Sequence, residues 1–440
     1  MQRGTMAGYE DFVHLEYKPK STDLLVSFRV HVPSWETPKR SFGAVASESS
    51  VGTWASVVAL KYQHVQEVAG KVYAVKKEGQ SYAIKIAYPQ DHFEAGNMSQ
   101  ILASIAGNVF DMKAVASLRL EDIRWPKKIV KSSPGPQYGI AGIRNIFKVK
   151  KRPLMLTVPK PKVGMTTAEH CEIGRQIWLG GLDLLKDDEN LTNQTFNPFK
   201  KRVETALKIR DRIENRTGEK KSYLINATAP TYKEMEQRAT FIADHGGEYT
   251  MIDIITSGWT ALHSLRELCK DLKLAIHAHR AFHGAFTRVP FQGFSMLATA
   301  EVARLLGADQ LHIGTAGVGK MVGSAREVHE IQDHIVQQNV KPHGSHCLGE
   351  NWLDTKPMFP VSSGGLHPIL VPDVLERMGT NIMLQIGGGI HGHPGGSYAG
   401  ARAMREAVEA YLDGKTMEEA SQSCKELKEA LKFWGHTRPR

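Results

Sequence analysis

Between residues 154 and 387 the chain returns eight times to a short apolar run of β-type residues. The runs are 154–158 (LMLTV), 182–185 (LDLL), 223–228 (YLINAT), 250–255 (TMIDII), 274–279 (LAIHAH), 310–315 (QLHIGT), 358–363 (MFPVSS) and 382–387 (IMLQIG). Most are separated by stretches of helical periodicity, such as 199–216 and 232–245. Strands that are apolar along their whole length are buried on both faces, which is the condition of a parallel sheet covered by helices. Eight of them in alternation predict a closed (β/α)8 barrel, because a doubly wound sheet needs fewer strands.

Ahead of the barrel, 22–31 reads as a strand, 71–87 as a hairpin turning at Glu78-Gly79, 98–106 as a helix and 114–124 as ending in a further strand. That predicts an N-terminal α+β domain over 1–137, joined through the Pro/Gly/Ser-rich segment 132–139 to a barrel over 138–400. Residues 401–440 are expected to form a C-terminal helical extension. A chain of 440 residues, 41% hydrophobic, has the length for such a two-domain α/β architecture.

No run approaches the roughly 18 apolar residues of a membrane span, and the first residues lack an apolar signal core, so a cytoplasmic protein without membrane contact is expected. Cys171, Cys269, Cys347 and Cys424 are widely spaced, which fits a reducing compartment better than a disulfide framework. The formal charge of +10 is spread over short groups such as Lys148 to Arg152, without the basic and aromatic stripe of a nucleic-acid surface. A net positive field favours a small polyanionic substrate instead.

In a barrel of parallel strands the reactive groups gather at the C-terminal strand ends. The second run ends in Lys186-Asp187-Asp188-Glu189-Asn190, a lysine followed by three acids. Carboxylate oxygens at one strand end suit Mg²⁺. Lys186 as an ammonium would repel that ion, so it must be a counter-charge or be modified to carry oxygen. The other ends supply Lys160-Pro161-Lys162, His277-Ala278-His279-Arg280, His312, the glycine-rich Gly314 to Lys320, Ser363-Gly364-Gly365 and Gly387-Gly388-Gly389.

Gly314 to Lys320 fits half of a nucleotide phosphate loop, but Met321 stands where a hydroxyl should meet Mg²⁺, so a mobile lid carrying one lysine is the better account. His277, His279 and His283 have zinc-ligand chemistry, yet the acidic cluster already offers a harder metal site. Glycine turns after the last two strands, with Arg280 and His312, suggest two phosphate pockets flanking a metal.

These motifs together resemble the large subunit of ribulose-1,5-bisphosphate carboxylase/oxygenase (RuBisCO), over essentially the whole chain. They are ESSVGTW (48–54), GNVF (107–110), PKPKVG (159–164), GGLDLLKDDEN (180–190), HAHRAFH (277–283), HIGTAGVGKM (312–321), SSGG (362–365) and QIGGG (385–389). Their forms look most like the archaeal form III branch.

The resemblance implies that Lys186 carries an activating CO2 as a carbamate and, with Asp188 and Glu189, holds Mg²⁺ and acts as the enolising base. It implies that Lys160 and Lys162 handle protons around the enediolate, that His279 assists at the substrate hydroxyls and that Lys320 orients CO2. Arg280, His312 and Ser363 would grip one phosphate, and Gly365, Gly387, Gly388 and Lys320 the other, with Gly364 and Gln385 lining the site. Glu48, Thr53, Trp54 and Asn108 would complete the barrel of a partner subunit, making a homodimer the minimal unit and leaving a ring of dimers open.

The implied activity is carboxylation of ribulose 1,5-bisphosphate with CO2, with O2 as competing electrophile. The alternative is a RuBisCO-like enolase or isomerase that does not fix CO2. Two departures stand out: Thr157 is one residue away from the family's threonine position, and Met321-Val322 replaces the more familiar Leu-Glu after the lid lysine. A carbamylated-lysine hydrolase with two metals would place its His-x-His before the lysine, whereas His277 and His279 follow Lys186.

Overall fold

The structure is a computed structural model that describes residues 8–55 and 57–439. The chain forms two compact units. One runs to Pro134 and takes in Phe282–Leu305 and Gln337–Thr355; the other comprises Gly135–Ala281, Leu306–Val336 and Lys356–Arg440. The sequence places a continuous barrel over 138–400, without the two returning segments, and sets the tail apart from 401 onward. In the structure the tail helices belong to the second unit, and the first of them, Gly396–Leu412, starts inside the predicted barrel range.

The first unit is built on a five-stranded sheet in the order Gly293–Phe294, Ser117–Arg124, Asp23–His31, Ser81–Pro89, Lys71–Glu78. The central strand buries seven of its nine residues, consecutive ones included, so the sheet is covered on both faces there. Gly293–Phe294, from a returning segment, adds to the edge in parallel with Arg119 and Leu120. The Thr37 side chain caps Pro38–Glu48 by accepting from the Arg40 N–H.

In the second unit eight strands close into a parallel barrel: Leu154–Thr157, Leu184–Lys186, Ser222–Asn226, Tyr249–Asp253, Ala275–His279, Gln310–His312, Phe359–Ser363 and Met383–Gln385. Each falls at an apolar run of the sequence, within one to three residues at either end; the largest difference is at the sixth, where the strand stops at His312 and the run continues to 315. The helix Gly139–Phe147 brings Ile140, Ile143 and Phe147 against the barrel core of Leu154, Leu156, Leu184, Leu224, Phe359 and Val361. Each such side chain contributes about 1.5–3 kcal/mol when fully buried. Asp309 fixes the start of that helix by accepting from the backbone N–H groups of Tyr138 at 2.6 Å, Gly139 at 3.0 Å and Ile276 at 3.0 Å. No helix among the described residues is long and apolar enough to cross a membrane.

Candidate active site

Backbone alternation at the end of the second barrel strand separates the acids. Successive side chains of an extended chain point to opposite faces. Lys186 and Asp188 therefore share one side, and Asp187 takes the other. Asp187 is fully buried and accepts from the Arg202 guanidinium at 3.2 Å, from the Asn226 backbone N–H at 3.0 Å and from the Tyr223 hydroxyl. His170 Nε2 lies 2.9 Å from the same hydroxyl. Asp187 is thus consumed by the scaffold.

On the mouth side, Lys160 from the first strand end donates to Asp188 Oδ2 at 2.9 Å, and Asn190 Nδ2 donates to Oδ1 at 2.8 Å. Burial would raise the Asp188 carboxyl, but these bonds outweigh it and hold it below the usual range. Lys162 approaches Glu189 at 3.9 Å and His279 Nε2 approaches its other oxygen at 3.6 Å. His279 Nδ1 rests 3.1 Å from Asp253 Oδ1. Burial and the Lys186 charge lower the His279 pKa despite that carboxylate.

Lys186 is fully buried, and its Nζ donates to the Asp187 carbonyl at 2.8 Å. Burial lowers its pKa even though Glu189, Asp253, Asp188 and Asp187 all pull the other way. A lowered pKa enlarges the neutral amine fraction, the form that can attack CO2. The donor set fits a hard cation: the carboxylates of Asp188 and Glu189 face ammonium groups from another strand end, so positive charge is already drawn to where Mg²⁺ would be held.

Arg280 has no hydrogen bond or ion pair among the described residues, and its guanidinium sits 3.9 Å from where a side chain on Gly314 would begin. Burial pulls its pKa down to about 10. An unpaired, partly covered guanidinium is a ready anion site. Both ring nitrogens of His312, by contrast, are committed, one to His277 and one to Ser363.

The glycine-rich loop from Gly314 lies against the next loop. Lys320 N–H donates to the Gly364 carbonyl at 3.0 Å, and a side chain on Gly319 would begin 2.0 Å from that oxygen. Only glycine permits this approach. The Lys320 stem runs over Gly365, while Met321 and Val322 remain 54% and 73% exposed. On the far side of the mouth, Gly387 lies 3.3 Å from the Lys160 stem, measured from its would-be Cβ, and Gly388 has open space before it.

Other sequence expectations resolve individually. His277 is used inside the barrel, and His283 Nδ1 bonds the Thr287 hydroxyl on its own segment at 2.8 Å, so each histidine of the zinc alternative is otherwise engaged. Thr157 donates to the Ile386 carbonyl at 2.6 Å and is structural. Within the first unit, Glu48, Trp54 and Asn108 line one cavity of about 470 Å³ with Trp35, Arg40 and Asp111. Trp54 is 75% exposed, an unusual position for a large aromatic, and Thr53 precedes it half-buried. Asp253 was not anticipated: it lies inside the fourth apolar run, 250–255, and only the strand's end at Asp253 puts it at the mouth.

Comparison with known proteins bears on this arrangement. Residues 139–434 match the ribulose bisphosphate carboxylase large chain, catalytic domain, and residues 11–129 match its N-terminal domain. The chain is 47% identical over 430 residues to the ribulose bisphosphate carboxylase of Methanocaldococcus jannaschii, covering 96% of this chain and 100% of that protein. It is 46% identical to that of Pyrococcus abyssi over 98% of each. The fold is similar to a dimeric archaeal Rubisco from Hyperthermus butylicus, with TM-score 0.92 and 43% identity over 98% of this chain and 100% of that one. It is similar also to an octameric Rubisco from Pyrococcus horikoshii, with TM-score 0.91 and 44% identity over 99% of each.

Proposed function

The chain belongs to the archaeal branch of the ribulose bisphosphate carboxylase large-chain family, and we propose that it carboxylates ribulose 1,5-bisphosphate at the barrel mouth through a carbamylated Lys186. The observation that carries this is the buried Lys186 amine beside Asp188 and Glu189, faced by Lys160, Lys162 and His279. The ammonium first gives up one proton to become the amine, which adds to CO2 and releases a second, so that a buried cation would become an anionic oxygen donor. That carbamate, Asp188 and Glu189 would hold Mg²⁺, which when bound would supply Lewis-acid polarisation of the sugar ketone.

The remaining chemistry belongs to side chains. Lys186, once carbamylated, would take the proton from the carbon next to the ketone. Lys160, next to both Asp188 and the Gly387 turn, returns a proton to the final carbanion, with Lys162 beside it. His279, oriented by Asp253, serves the substrate hydroxyls. Lys320, on the glycine loop, orients the incoming CO2, and O2 competes at the same step. Arg280 takes one phosphate; Gly365, Gly387 and Gly388 offer backbone N–H groups to the other. Water adds to the carboxylated ketone before that last proton transfer, and breaking of the carbon–carbon bond gives one 3-phosphoglycerate and the carbanion that Lys160 protonates to the second.

Glu48, Thr53, Trp54 and Asn108 form the half-site offered to a partner subunit, which makes a homodimer the minimal active unit. The relatives at this level of identity are named as carboxylases, which disfavours an enolase that does not fix CO2. Incubation with ribulose 1,5-bisphosphate, Mg²⁺ and labelled bicarbonate should yield labelled 3-phosphoglycerate. Unlabelled product, or none after preincubation with CO2, overturns the assignment.

A further inference from the structure

The end of the first barrel strand is tied to the glycine turn after the last one through a single imidazole ring. Thr157 is fully buried and donates its hydroxyl proton to the Ile386 carbonyl at 2.6 Å. His391 Nε2 lies 2.9 Å from the same hydroxyl oxygen, and His391 Nδ1 lies 2.9 Å from Ser397 Oγ. The His391 backbone N–H donates to the Gly387 carbonyl at 3.2 Å. His391 therefore holds the Gly387 turn with its backbone and the first strand, just ahead of Lys160, with its side chain.

The sense of each bond in this link is fixed. Burial and the Lys160 charge pull the His391 pKa down to about 4, so the ring is neutral and has one donor and one acceptor nitrogen. The Thr157 proton is committed to a carbonyl, which only accepts, so Thr157 offers the ring a lone pair. Nε2 must then carry the hydrogen, and Nδ1 accepts from the Ser397 hydroxyl. Without charge, the ring does not repel the Lys160 ammonium beside it.

Spacing matters because of what the link holds apart. A side chain on Gly387 would begin 3.3 Å from the Lys160 stem and 3.2 Å from that of Val158. Lys160 returns a proton to the carbanion left by carbon–carbon cleavage. Because Lys160 and the Gly387 turn are neighbours, the phosphate gripped there is the one on the carbon next to that carbanion. Such a carbanion has a second fate: its electron pair forms a double bond to the neighbouring carbon and expels the phosphate. The resulting enol tautomerises to pyruvate. Phosphoglycerate forms only where the ammonium delivers its proton first.

We propose that His391 and Thr157 are positioning residues that together hold Lys160 at a fixed distance from the Gly387 turn, so that the final carbanion is protonated before it sheds its phosphate. This rests on the carboxylase assignment and goes beyond it, because neither residue touches substrate in that reading. The threonine that stands one residue from the family's position thereby has a part of its own, as the partner of His391.

The test uses the activated full chain with ribulose 1,5-bisphosphate and labelled bicarbonate. It reads labelled pyruvate against labelled phosphoglycerate and, separately, exchange of the enolised sugar proton with solvent. Thr157→Val and His391→Leu should each raise the ratio of pyruvate to phosphoglycerate about threefold to tenfold, the effect of losing one neutral hydrogen bond. The pair should be no worse than His391→Leu alone, since both changes cut the same link. His391→Gln, which keeps an N–H donor for Thr157, should stay near the wild-type ratio, and proton exchange per activated chain should hold throughout. A ratio that stays at the wild-type value while exchange and carboxylation fall together overturns the proposal, because the link then only supports the barrel. Additive rises in the pair overturn it too, as does a ratio in His391→Gln as high as in His391→Leu. If His391→Leu does not fold, Ser397→Ala, which removes the donor to Nδ1, takes its place and should raise the ratio by a smaller factor; no rise there overturns the proposal. A wild-type chain that forms no phosphoglycerate sinks the carboxylase assignment instead, so the two failures are distinguishable.

Discussion

Asp187 and Asp188 are neighbours in sequence and both are buried, yet they belong to different regions with different demands. Behind the strand, Asp187 meets Arg202, Tyr223 and the Asn226 backbone, and its charge is neutralised within the scaffold. At the mouth, Asp188 is met by Lys160, which is 30% exposed, and by Asn190. One pair is sealed and structural; the other is open to exchange. A buried charge with permanent partners holds a strand end in place, whereas one with a replaceable cation can accept a metal.

Breaking the mouth should have the largest effect on activity. Lys186→Ala should reduce carboxylation on the order of a thousandfold or more, with activity the readout that moves most. Breaking the anchor should do the reverse in kind. Asp187→Ala leaves the Arg202 guanidinium buried without its carboxylate and should cost about 3–5 kcal/mol in denaturant unfolding.

The anchor also predicts a pH dependence. His170, beside Tyr223 and Asp187, has its pKa lowered to about 4, because burial outweighs the attraction of Asp187. Its folded value lies below the unfolded value of 6.5, so the unfolded chain binds the proton more readily. Stability from this group is complete above pH 6.5 and is lost as pH falls toward 4, at roughly 1.4 kcal/mol per pH unit. Unfolding measured across that window should show a shallower acid limb in His170→Gln. The smallest effect belongs to Lys162, whose side chain is 58% exposed and 3.9 Å from Glu189. Lys162→Ala should change stability by less than about 1 kcal/mol.

Much of this was legible in the sequence because the barrel writes itself in apolar runs and puts its chemistry where each run stops. Lys186, Asp188, Glu189, Lys160 and His279 are all recognisable in that way. Gln310 and Tyr249 are not, since their partners lie on other strands and nothing local marks them. The returning segment with Gly293–Phe294 escaped notice because a two-residue edge strand has no periodicity to detect. The separation of Asp187 from Asp188 follows from strand alternation, but which side faces the mouth depends on packing around Arg202 that only coordinates display.

The most direct test is the uptake of labelled CO2 with Mg²⁺ by the wild-type chain and by Asp188→Asn, with the labelled residue located by peptide mass after trapping. One carbon per chain on Lys186, retained only with Mg²⁺ and lost in the variant, is the predicted result. Label absent from Lys186, or held equally well without Mg²⁺ and without Asp188, would contradict it.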